Sequence, residues 1–151
     1  MLKDILMTFL ISMVPVLELR GAIPAGIAAG LSPMAAFAVS VVGNMVPVPF
    51  IILLIRQIFL LLKKNAFLCG VIEKLEAKAH LKGKVVRKYG ALGLLILVAI
   101  PLPGTGAWTG ALVAALLNMS LRRALPTIFF GVVIAGAITI AVTCGVIHIV
   151  W

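Results

Sequence analysis

Pro101-Leu102-Pro103-Gly104-Thr105-Gly106 interrupts an otherwise apolar run at residues 91–119. Two prolines and two glycines within six residues cannot continue a regular helix. Proline lacks the N–H that the ladder needs, and glycine carries the largest backbone entropy cost. The apolar arms on either side are only about 10–13 residues long, roughly 15–20 Å as helix, or half the hydrocarbon thickness of a bilayer. A second break of this kind lies upstream, where Pro15 is followed by Glu18-Leu19-Arg20-Gly21-Ala22-Ile23-Pro24 inside the apolar run 5–30. Both runs are therefore expected to form re-entrant helical hairpins, entering to mid-membrane and returning to the same face. Irregular backbone at that depth is tolerated only where protein buries it or where it lines a wet cavity. The competing reading is a kinked helix that crosses completely.

The composition sets the surroundings of these breaks. Hydrophobic residues make up 64 % of the 151-residue chain and charged residues 11 %, where a soluble domain runs nearer about half and a quarter. With a mean hydropathy of +1.29, the chain is expected to be an integral membrane protein, all-α, in the bacterial or archaeal cytoplasmic membrane. The runs 33–62 and 124–151 are long enough to span a bilayer. A cleavable leader is not expected, because Glu18 and Arg20 fall where its apolar core would run. Cys69 and Cys144 are far apart, and His80 and His148 are isolated. They offer neither a disulfide framework nor a metal site, and no cofactor is expected. An enzyme is not expected either, since no nucleophile–base pair, metal-ligand spacing or nucleotide loop is present.

The two breaks sit in an internal repeat. Gly21-Ala22 corresponds to Gly106-Ala107, and Pro15 and Pro101 precede these pairs at similar distances. Ser32 and Ser120 occupy helix N-cap positions ahead of Gly43 and Gly131, with Pro33 at the first helical position. The predicted organisation is one membrane domain with repeat one at 1–62 (hairpin 5–30, helix 33–62), a linker at 63–90, and repeat two at 91–151 (hairpin 91–119, helix 121–151). The linker holds Lys63, Lys64, Lys74, Lys78, Lys82, Lys84, Arg87 and Lys88 against Glu73 and Glu76. Leu68, Ile72, Leu75 and Ala79 recur at helical spacing, as in an amphipathic helix on the membrane surface. With the linker in the cytoplasm, both termini are external and the hairpins open to opposite faces. Eleven of the 13 cations then lie inside, in accord with the positive-inside rule. Four complete spans fit that rule almost as well, so the helix breaks carry the prediction. Hairpins entering from opposite faces form an inverted repeat, the layout of many secondary transporters. The net charge of +9 is thereby accounted for without nucleic acid.

Glu18 and Arg20 are the ionisable residues at depth in the first hairpin. An intramembrane charge costs about 2.5–3.5 kcal/mol on insertion scales and is a functional candidate by default. In a hairpin turn the two side chains point into one cavity, Glu18 taking a proton and Arg20 holding an anion. The structural alternative is a buried pair, or Arg20 capping carbonyls at the hairpin tip. The second break has no charge and offers Pro101, Pro103, Gly104, Thr105, Gly106, Trp108 and Thr109, with helix N-terminal amides that favour anions. A close-packed turn explains those glycines equally well. Asn44, beside Pro47 and Pro49, either faces the cavity or bonds a carbonyl freed by proline. Arg122 and Arg123 are placed at the cytoplasmic mouth, where they contact phosphate headgroups or anchor the helix.

Glu18-Leu19-Arg20-Gly21-Ala22-Ile23-Pro24 together with Pro101-Leu102-Pro103-Gly104-Thr105-Gly106-Ala107-Trp108-Thr109-Gly110 resembles the signatures of the small multidrug export protein family, over essentially the whole chain. That resemblance implies a distant relation to the DedA (VTT-domain) membrane proteins, which carry paired re-entrant hairpins and include members implicated in flipping undecaprenyl phosphate or scrambling lipids. It implies that Glu18 and Arg20 are the acid and base of the first hairpin and that residues 101–110 form the second. The chain departs from the DedA pattern in having no arginine around Pro101. The expected function is proton-coupled translocation of an anionic amphipath such as undecaprenyl phosphate, with membrane lipid as partner and a homodimer as the favoured assembly. The alternatives are proton-exchange export of cationic amphiphiles and a non-transporting scaffold.

Overall fold

The computed structural model describes the backbone of residues 1–62, 64, 69–70, 73–74, 77, 84–102 and 105–150. Pro103, Gly104 and most of the linker, including Leu68, Ile72, Leu75 and Ala79 of the expected surface helix, lie outside the described residues. Every regular element among those described is α-helical. In chain order they are α1 (Leu2–Met13), α2 (Glu18–Ala28), α3 (Pro33–Met45), α4 (Pro47–Leu62), α5 (Lys84–Tyr89), α6 (Ala91–Ala99), α7 (Ala107–Leu116) and α8 (Leu121–Val150).

Helix α1 ends because Pro15 has no N–H to give Ile11; the Val14 N–H bonds the Ile11 carbonyl instead, at 3.1 Å. The chain turns at residues 14–17 and α2 returns beside α1, with Gly26 against Thr8 and against Ala36 of α3. Gly30, at φ +98°, closes α2, and the Leu31 N–H reaches back to the Gly26 carbonyl at 3.0 Å, a left-handed C-cap. Ser32 then caps α3 by accepting the Ala35 N–H at 3.3 Å, with Pro33 in the first turn. The helix expected over 33–62 is two helices. Pro47 and Pro49 remove two ladder donors, and the chain bends at Val46.

The same local devices recur in the second half. Asn118 takes φ +55° where Gly30 stood, and the Met119 N–H bonds the Ala114 carbonyl at 2.9 Å as Leu31 bonds Gly26. Gly43 lets α3 close on the Phe9 carbonyl and Ser12 of α1, and Gly131 lets α8 close on the Leu95 carbonyl and Val98 of α6. Each long helix also reaches the other half: α4 packs on α7, and α8 packs on α2. Leu19, Ile23, Val48, Leu94, Val98, Val113, Ile128 and Val132 fill the shared core.

Two helical stretches, Pro33–Ile58 and Leu121–Val146, are long and apolar enough to cross a membrane, with 39 % and 28 % of their most apolar windows buried in the protein. Most of that surface, including Phe50, Leu53, Phe129, Phe130 and Val142, faces outward. An apolar surface of this extent suits hydrocarbon and would drive association in water.

Candidate functional site between the hairpin tips

Glu18 and Arg20 were expected in the first turn, but they lie in the opening turn of α2, with the reversal itself at residues 14–17. Residues two apart on a helix normally diverge. Glu18 escapes that geometry through a left-handed backbone, φ +47°, which few residues with a Cβ adopt. Its side chain, 4 % exposed, crosses to the second hairpin, where the carboxylate accepts the Trp108 N–H at 3.2 Å. Trp108 is the second residue of α7, and the first amides of a helix have no partner in their own ladder. The carboxylate thus sits at the positive end of the α7 dipole. Gly106 makes room for it. At φ +137° and ψ −164° its backbone is in a region that is essentially glycine-only, and a Cβ there would overlap the Glu18 carboxylate.

Arg20 treats the other arm of that hairpin in the complementary way. Its Nη1 donates to the Leu102 carbonyl, and its Nη2 donates to the Ile100 carbonyl at 3.2 Å and to the Thr105 hydroxyl at 3.1 Å. These carbonyls follow the end of α6, where the dipole is negative. The Thr105 hydroxyl lies 2.8 Å from each of the same two carbonyl oxygens and braces the turn. Trp108 returns the favour for hairpin one, its indole N–H donating to the Met13 carbonyl at the end of α1 at 3.1 Å. Each hairpin therefore caps the other. Glu18 and Arg20 form no ion pair; among the described residues the ion pair present joins the N-terminal amine to Asp4 at 2.6 Å.

A cleft of about 470 Å³ opens between the tips, lined by Pro15, Val16, Glu18, Arg20, Pro101, Thr105 and Thr109. The structure so brings together most of the residues singled out in the sequence. Gly106 and Trp108 adjoin the cleft through Glu18, and Pro103 and Gly104 lie outside the described residues. Asn44 does not line the cleft, and its amide bonds no freed carbonyl: it is fully buried, with neither Oδ1 nor Nδ2 partnered. Arg122 and Arg123 are exposed at the start of α8, and Arg123 lines a separate groove of about 830 Å³ with Arg87, Asn118 and Ser120. Pro15, Val16 and the Met13 carbonyl were not foreseen as parts of the site. Pro15 is the signal that could have found them, since the carbonyls that close a helix need partners from elsewhere.

No curated protein and no solved structure matches the chain. A family model described as "Putative small multi-drug export protein" matches residues 18–138, from the cleft acid through the second tip and into α8, and the chain belongs to that family.

Proposed function

We propose that the protein is a proton-coupled exporter that carries an amphipathic solute through the cleft between the hairpin tips. Glu18 is the proton-carrying group, and Arg20 meets an anionic headgroup such as that of a polyprenyl phosphate. The observation that carries this reading is that an acid and a base line one cleft, each held by groups of the second hairpin and with no ion pair between them. The scaffold reading requires the two to neutralise one another. In the proposed topology both hairpins are re-entrant and the halves form an inverted repeat, with the linker cytoplasmic and both termini external in a cytoplasmic membrane. The recurring caps and the two pairs of close approaches, Gly43 on α1 and Gly131 on α6, support that repeat. Half-depth hairpins meeting at mid-membrane, with helix ends facing the site, suit alternating access.

A second reading, exchange of protons for cationic amphiphiles, is favoured by the family description and by the commitment of both Arg20 Nη atoms to carbonyls and Thr105. In that case Glu18 alone recognises the solute.

Flux in proteoliposomes tests both. A polyprenyl phosphate is expected to move at a rate that depends on pH. Glu18→Gln keeps an oxygen to accept the Trp108 N–H, so it should fold yet lose the pH dependence, and Arg20→Ala should abolish movement of the anion. Transport of a cationic dye in place of the phosphate assigns the second reading. Movement of neither removes both.

A further inference from the structure

We propose that the buried polar seam between α1 and α3, just ahead of the break in the first spanning helix, is a binding site for a dehydrated monovalent metal cation, held by Ser40 and Asn44 together with the hydroxyl lone pairs of Thr8 and Ser12. This goes beyond the exporter reading and does not depend on what occupies the cleft.

The two halves supply their own control. Gly43 lies against Phe9 and Ser12, and Gly131 lies against Leu95 and Val98. Counted from these anchors, Thr8 matches Leu94, Ser12 matches Val98, Ser40 matches Ile128 and Asn44 matches Val132. All eight are exposed by 1 % or less. One half fills the four positions with aliphatic side chains, so packing does not demand oxygen there. The other half carries oxygen at every one of them. Burying a polar group without a partner opposes folding, and Ser40 Oγ, Asn44 Oδ1 and Asn44 Nδ2 are all buried without one.

The chemistry of the seam is that of a cation site. Thr8 and Ser12 direct their hydroxyl protons at their own helix, to the Asp4 and Phe9 carbonyls, each at 2.7 Å. What they have left to offer is oxygen lone pairs. Pro47 and Pro49 have no N–H, so the carbonyls of Gly43 and Met45 lose their usual ladder donors. Met45 ends α3, and a helix C-terminus carries negative potential. Such ends, where a spanning helix is interrupted, coordinate coupling cations in transporters of several folds. The matching part of α8 runs without a break through Val132. Polar side chains and a helix interruption thus occur together in one half, and both are absent from the corresponding place in the other. A monovalent ion fits because the four buried seam positions, Thr8, Ser12, Ser40 and Asn44, offer neutral oxygens and no carboxylate. Divalent ions in proteins draw on carboxylates. The Asn44 Nδ2 donor makes water the rival occupant, and water does not distinguish one salt from another.

Thermal unfolding of the purified full-length chain in detergent decides, in NaCl against choline chloride at equal concentration. Na⁺ at ten times its Kd is expected to raise Tm by about 3–6 °C over choline. Asn44→Val, which installs the residue of the other half, should remove that difference and be at least as stable as wild type in choline chloride. Ser40→Ala, which adds no bulk, should shrink the difference. Equal Tm values for wild type in the two salts, or a Na⁺ effect that persists in Asn44→Val, overturn the proposal. The melting measurement requires no transport, so a failed flux assay and a failed cation site remain separate results.

Discussion

Gly106 shows how little freedom the site leaves to a single residue. Two separate demands meet there: a backbone conformation near φ +137°, and the Glu18 carboxylate where a Cβ would stand. Gly30 carries only the first demand, with φ +98° and nothing within 4 Å of its would-be Cβ. Gly30→Ala should therefore cost only the strain of the backbone, about 1–2 kcal/mol, whereas Gly106→Ala adds an overlap and should cost about 2–4 kcal/mol. Equilibrium unfolding of the two variants separates strain from crowding. Combining Gly106→Ala with Glu18→Ala removes the group that is struck, so the double variant should lose less than the sum of the singles by about 1 kcal/mol. Strict additivity would mean that the two residues do not touch. The left-handed Glu18 is part of the same device, since it is from this backbone that the carboxylate reaches the first turn of α7.

At the scale of elements, three helix ends are answered by side chains from across the two hairpins. Arg20 answers the carbonyls after α6, Glu18 answers an amide of α7, and the Trp108 indole answers the end of α1. Trp108→Phe keeps an aromatic ring and deletes one N–H, leaving the Met13 carbonyl without that donor. The expected loss is about 1 kcal/mol of stability, read as a lower unfolding midpoint, and Trp108→Leu should lose more because the ring goes as well. If Trp108→Phe unfolds like wild type, the cross-hairpin cap contributes nothing. These pairings also mark the limit of what the sequence discloses. Pro15 and Pro101-Leu102 announce where arms end, and Ser32 with Pro33 announces where a helix starts, because caps and breaks depend on neighbours within a turn. That Arg20 would serve carbonyls of the other hairpin depends on two tips about eighty residues apart meeting in one register, which no local pattern encodes. The placement of Asn44 was missed for the opposite reason. The local rule for an Asn beside prolines predicts a bond to a freed carbonyl, and in the folded chain that amide is left unbonded. Glu18 and Arg20 stood out because charge is costly inside an apolar run, and cost is a property of the residue itself.

For the molecule as a whole, the lengths of the arms are what favours the proposed re-entrant hairpins over complete crossings. Helices α6 and α7 have 9 and 10 residues, about 14–15 Å each, and α1 and α2 have 12 and 11, about 16–18 Å. None reaches across roughly 30 Å of hydrocarbon. In both hairpins the second arm packs back along the first: Gly26 of α2 lies against Thr8 of α1, and Gly110 of α7 lies against Leu94 and Val98 of α6, as the proposed topology requires. A complete crossing would require the returning arm to run on past the break, away from its partner. The two serines that start the spanning helices read out the difference. Both are exposed. On a background with Cys69 and Cys144 replaced by Ser, a cysteine at Ser32 should react with an impermeant reagent applied from outside, and one at Ser120 only from the cytoplasmic side. Four complete spans with the same cytoplasmic linker place Ser32 outside as well but carry Ser120 across to join it. Reaction of the Ser120 cysteine from outside would therefore exclude the re-entrant second hairpin, whereas reaction of both only from their assigned sides requires residues 91–119 to enter and leave by one face.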